Sequence, residues 1–108
     1  METATKTKKT KPKYSREQYL KWYEEMQLMR RFEERAGQLY GMQKIKGFCH
    51  LYIGQEAVVA GAMSVIKAED SMITAYRDHA HALAKGISAR EVMAELFGKI
   101  TGCSKGKG

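Results

Sequence analysis

Three short stretches of the chain hold residue types able to do chemistry. The first is Gly47-Phe48-Cys49-His50-Leu51. Histidine changes charge near neutrality, so one held in a loop can serve a pocket. Taken alone, His50 reads first as a structural histidine and second as a site residue. The second stretch is Tyr76-Arg77-Asp78-His79, directly after a short apolar run. An arginine fork gives paired, charge-assisted hydrogen bonds to a phosphate. The competing reading is a surface pair of Arg77 with Asp78. His79 and His81 are two positions apart, so on a helix they share no face and make no metal pair. The third stretch, Gly102-Cys103-Ser104-Lys105-Gly106-Lys107-Gly108, looks like a phosphate-cradling loop but fails its spacing. A P-loop has four residues between its glycines and a Ser or Thr after the lysine. Here three residues separate Gly102 from Gly106, and Gly108 follows Lys107.

The elements that must position these stretches are mostly helical. Ser15 and Gln18 have the spacing of a capping box. Tyr19, Trp22, Met26, Met29, Phe32, Ala36 and Leu39 then recur at steps of three and four, one apolar stripe on a helix that Gly41 stops. At about 25 residues it is roughly 37 Å long and needs a partner surface. Charges between the stripe positions, among them Arg30, Glu33 and Glu34, read as a solvated face. Residues 42–53 mix β-branched and aromatic types with a glycine, which predicts an extended loop with short strand pairing. Gly54 to Lys67 has almost no polar face and predicts a buried helix. Ser71 to Ala75 predicts a short buried strand. Tyr76 and Arg77 then lie at its carboxyl end, where open α/β sheets bind ligands. A helix from His79 to Lys85 ends at Gly86, and Ser88 with Glu91 caps a last one with Val92, Met93, Leu96 and Phe97 inward. Four of the ten glycines follow Phe97, which makes that end the least packed part.

Composition narrows the class. The 108 residues suit one small domain, with 44% hydrophobic and 29% charged residues. The net charge of +7 is mostly a tail. Residues 1–15 hold five lysines against Glu2, a net of +4, leaving +3 for the rest. Residues 1–14 read as a basic disordered leader before a domain over 15–108. No nucleic-acid motif follows that tail, and no apolar run approaches a membrane span. Cys49 and Cys103 form no CxxC pair, so neither a zinc site nor a disulfide framework is implied, and free thiols suit a reducing cytoplasm.

Four separated motifs stand in order. They are Gly47-Phe48-Cys49-His50-Leu51-Tyr52 with Gly54-Gln55-Glu56-Ala57, then Ile73 to His79, then Met93 to Gly98, then Gly102 to Gly108. In that order they resemble the alpha subunits of the thiamine-diphosphate-dependent pyruvate dehydrogenases, over about Tyr19 to Gly108. The resemblance implies an α/β fold, of which this is the N-terminal, mostly helical portion. It implies oxidative decarboxylation of pyruvate with thiamine diphosphate and magnesium. The acetyl group then goes to a lipoyl-bearing dihydrolipoyl acetyltransferase core, giving acetyl-CoA. It implies a beta subunit in an alpha2-beta2 heterotetramer, and no nucleic acid or membrane partner.

Carried over by motif, His50 lies near the substrate and the reacting thiazolium. Tyr76 and Arg77 line the cofactor and substrate site, with Arg77 at the diphosphate, and Phe48 walls the pocket. The magnesium ligands are expected after Gly108 and the activating acid on the beta subunit, so no metal ligand is assigned here. On this reading the chain is a truncated piece, inactive alone. Phe48 to Leu51 and Tyr76-Arg77 favour the pyruvate type over relatives acting on branched-chain 2-oxo acids or acetoin. A different class is a small helical binding module whose basic tail docks on an acidic partner. Deleting residues 1–15 separates the two, since only the module loses function.

Overall fold

Ser15 caps the first helix. Its backbone is extended and its side-chain oxygen accepts the Gln18 amide at 3.1 Å, which satisfies one of the free donors at a helix start. The return bond from the Gln18 side chain does not form, so only half of the expected capping box is present. In the computed structural model, which describes residues 13–108, this helix α1 runs over Arg16–Gly41. It ends where Gln43 turns left-handed at φ 64° and the Lys44 amide donates back to the Leu39 carbonyl at 2.9 Å. Three short helices follow: α2 over Glu56–Met63, α3 over His79–Ala84 and α4 over Ala89–Leu96. Ser88 and Glu91 form the complete capping box that their spacing predicts. The leader expected over residues 1–14 lies outside the described residues except for Lys13 and Tyr14.

The core has two adjoining parts, both built on the middle of α1. Phe32 and Ala36 pack with Ile45, Leu83 and Val92, which draws α3 and α4 to one side. Met29 packs with Tyr52, Val59 and Ala80, which draws in α2 and the start of α3. The front of α1 runs past this core. There Tyr19 and Trp22 meet Tyr14 edge to face, with ring centroids 5.8 Å apart for Tyr19–Trp22 and 5.0 Å for Tyr14–Trp22. Tyr19 of the predicted stripe therefore stays exposed.

Several expectations need correcting. Among the described residues there is no strand, so the α/β class appears here only as its helical portion. Residues 71–75 run without a pairing partner, and Ile73 is 100% exposed instead of buried. A strand forms only when a neighbour takes its backbone groups, and none lies alongside. Residues 42–53 likewise form a loop without strand pairing. The helix expected to be buried is shorter, and only one face is covered. Val59 and Ala60 are buried while Val58 is exposed, as is Val65 just beyond the helix. No described element covers the other side.

Phe32→Ala should lower stability by about 3–5 kcal/mol, because the cavity would open where α1, α3 and α4 meet. Ser88→Ala should cost about 1 kcal/mol through the lost cap. Denaturant unfolding of the two variants checks the order.

Candidate functional site

Two charges from the supposedly solvated face of α1 are tied inward. Glu33 is completely buried. One carboxylate oxygen accepts the Tyr52 amide at 3.0 Å, and the other lies 2.8 Å from Nδ1 of His79. Arg30, one turn earlier, reaches α2, where Nε and Nη2 meet the Glu56 carboxylate at 2.7 and 3.2 Å. The Gly54 amide adds a bond to Glu56 at 3.1 Å. The Arg30 side chain holds the Glu56 carboxyl below its usual range, and Glu56 in turn raises Arg30. Both acids belong to charged or polar runs in the sequence, and helical spacing alone does not mark them as buried. The available signal for Glu33 was its place next to Phe32, on the edge of the stripe.

These ties bring the loop over residues 47–54 against the segment over residues 74–79. The four residues assigned to a site meet there. The His50 and Tyr76 ring centroids are 4.4 Å apart. Phe48 stacks on His50 at 6.3 Å. The Arg77 guanidinium stands over the Tyr76 ring at 5.5 Å, within cation–π range. One Arg77 nitrogen also donates to the Leu51 carbonyl at 3.0 Å, so the arginine joins the two loops. Asp78 does not pair with Arg77; it accepts from the Thr74 hydroxyl at 3.0 Å. Phe48 is 89% exposed and Tyr76 64% exposed, so this cluster is an open face and not a closed pocket. Cys49 beside it is no activated thiolate. Burial pushes its thiol up, and the Glu33 charge adds to the effect. Among the described residues no group of three or more His, Cys, Asp or Glu is placed to hold a metal.

The glycine-lysine loop does cradle an anion, but the anion is the chain's own. Amides of Ser104 and Gly106 donate to one oxygen of Glu95 at 2.7 and 3.0 Å, and the Gly108 amide donates to the other at 2.6 Å. Such a nest of amides favours the ionised carboxylate. The bonds from Gly106, Gly108 and Ser104 hold Glu95 below its ordinary value. Two glycines permit the approach. A Cβ on Gly102 would sit 2.5 Å from Glu95, and one on Gly106 would sit 2.6 Å from Gly98. The end expected to be least packed is therefore folded closely onto α4.

The Dehydrogenase E1 component family profile matches residues 24–108. A pyruvate dehydrogenase E1 component subunit alpha from Rhizobium meliloti is 65% identical over 95 residues, covering 88% of this chain and 27% of the relative. The protein of that name from Rickettsia bellii is 59% identical over 93 residues, covering 86% of this chain and 28% of the relative. The chloroplastic subunit alpha-3 from Arabidopsis thaliana is 52% identical over 94 residues, covering 87% of this chain and 22% of the relative. The chain thus spans less than a third of the length of these relatives.

Because the folded Glu95 carboxyl is depressed, loop docking is complete above the ordinary 4.5 and weakens as pH falls through the lower folded value. The amide shifts of Ser104, Gly106 and Gly108 should titrate together in that acid range. In Glu95→Gln that titration should vanish.

Proposed function

This chain belongs to the Dehydrogenase E1 component family, and from that premise we propose that it serves in the alpha subunit of pyruvate dehydrogenase. That enzyme oxidatively decarboxylates pyruvate with thiamine diphosphate and passes the acetyl group to a lipoyl acyltransferase, giving acetyl-CoA. The observation that carries the reading is the meeting of Phe48, His50, Tyr76 and Arg77 on one open face. An aromatic wall, an imidazole and an arginine suit an aromatic, phosphorylated cofactor beside a small anionic substrate.

The residues fit one end of thiamine diphosphate. Arg77 is exposed and commits one nitrogen to Leu51, which leaves other donors of its fork for the diphosphate. When bound, that cofactor supplies the carbon nucleophile for the keto carbon and an electron sink as carbon dioxide leaves. His50 hydrogen-bonds the substrate carboxylate or keto oxygen and holds it at the reacting end. Phe48 and Tyr76 exclude water beside it. The magnesium that accompanies the diphosphate takes its ligands from residues other than those described here. A beta subunit, in an alpha2-beta2 assembly, supplies the remaining face and covers the exposed aromatics. The lipoyl-bearing dihydrolipoyl acetyltransferase core receives the acetyl group. The free thiols Cys49 and Cys103 support a cytoplasmic setting.

Phe48 to Leu51 and the Tyr76-Arg77 pair favour pyruvate over a branched-chain 2-oxo acid or acetoin. No described feature favours the binding-module reading, whose basic tail lies in residues 1–12 and Lys13.

In the full subunit with its beta partner, Arg77→Ala should weaken apparent cofactor affinity about ten- to two-hundredfold, from roughly 1.5–3 kcal/mol of charge-assisted bonding. Arg77→Lys should recover part of that, since it keeps the charge and loses the fork. His50→Ala should lower turnover more than cofactor affinity. Titrating thiamine diphosphate against activity separates the roles, and wild-type affinity in Arg77→Ala removes arginine from the site. The 108-residue chain alone, given thiamine diphosphate and magnesium, should release no carbon dioxide from pyruvate, measured by trapping the gas.

A further inference from the structure

Glu33 has a role that the site residues above do not account for. Its carboxylate is fully buried in the middle of α1, and the described structure pairs it with no lysine or arginine. Both oxygens are used, one by the Tyr52 amide and the other by Nδ1 of His79. Those partners lie on different segments: Tyr52 is in the loop that carries Phe48 and His50, and His79 follows Tyr76-Arg77. The His79 ring is fixed further by Phe32, edge-on at 6.1 Å. His79 also lines a cavity of about 370 Å³ together with Phe48, Glu95, Cys103 and Ser104. A partly buried imidazole at the edge of such a cavity has two ring nitrogens, and the partner of one decides which is left for the other side.

We propose that Glu33 is a positioning residue that holds the proton of His79 on Nδ1, so that the ring meets the cavity through Nε2 alone. An ionised carboxylate oxygen only accepts, so the nitrogen facing it must donate. The Tyr52 amide holds the second oxygen as an acceptor, which leaves the first to face Nδ1. This is the arrangement by which a buried carboxylate sets the tautomer of a neighbouring histidine. Glu33 acts through His79, and touches neither substrate nor cofactor. The proposal stands apart from the assignment of pyruvate, since the state of the ring is read without turnover.

The test is nitrogen NMR of the full-length protein labelled with 15N in its histidine rings, with the His79 signals assigned by their loss in His79→Asn. In the wild type, Nδ1 should carry a proton. Glutamine offers one acceptor and one donor group where glutamate offers two acceptors. In Glu33→Gln the carbonyl must stay with the Tyr52 amide, and the NH2 then faces Nδ1. The imidazole can answer by moving its proton, so the protonated and unprotonated ring signals should swap. Glu33→Asp keeps two acceptors and should keep the wild-type pattern. An unprotonated Nδ1 in the wild type overturns the proposal, and so does a folded Glu33→Gln that retains Nδ1–H. Should Glu33→Gln fail to fold, the wild-type ring and Glu33→Asp still decide.

Discussion

A carboxylate sealed from water, with no full positive charge from a lysine or arginine beside it, must find hydrogen-bond donors or abandon its charge. Glu33 finds a backbone amide and an imidazole. Removing solvent from an ion costs several kcal/mol, and only well-aimed partners offset it. That requirement orders much of the fold. The loop after α1 must present the Tyr52 amide, and α3 must begin where His79 reaches back. Phe48 and His50 lie just before the first attachment, and Tyr76 and Arg77 just before the second. The geometry of their open face therefore depends on an acid that takes no part in it. Arg30 and Glu56 repeat the arrangement one turn earlier with opposite charges in contact.

Much of the helical layout was legible in the residues. Ser15, the stripe through Met29, Phe32 and Ala36, and the Ser88–Glu91 box mark helix limits through local backbone chemistry, which needs no distant partner. The spacing of the glycine-lysine loop departs from that of a P-loop, and nothing in that spacing marked Glu95 as the anion its amides hold. The burial of Glu33 was signalled only by its place beside Phe32, because charges between stripe positions look solvated and burial is decided by what packs on top. The strand over residues 71–75 failed for a related reason. β-branched residues invite pairing, but a strand exists only with its neighbour. The exposed side of α2 shows the same dependence on a surface outside the described elements. His50 and Arg77 stood out by residue type and Phe48 and Tyr76 were assigned by motif, and their spacing along the chain says nothing of the 4.4 Å between the rings of His50 and Tyr76.

Family membership and local geometry bear on different parts of the argument. The match over residues 24–108 fixes the lineage of the chain. It leaves open which atoms act. The geometry narrows that question, since Arg77 links both site loops through Leu51 while Asp78, its nearest acidic neighbour in sequence, is engaged with Thr74. The Phe48 and Tyr76 rings stay exposed among the described residues.

The clasp around Glu95 has a consequence for how this segment can vary. Its three donors belong to Ser104, Gly106 and Gly108, alternate positions along the backbone, and no side chain of the loop takes part in those bonds. Exchange of the side chains at Cys103, Lys105 or Lys107 leaves the donors in place. Adding or deleting a single residue between Ser104 and Gly108 carries at least one of the three amides away from the carboxylate. Such a loop tolerates exchange at Cys103 and Lys107, while Gly102, Gly106 and its length are held by the close approach to α4 and Gly98.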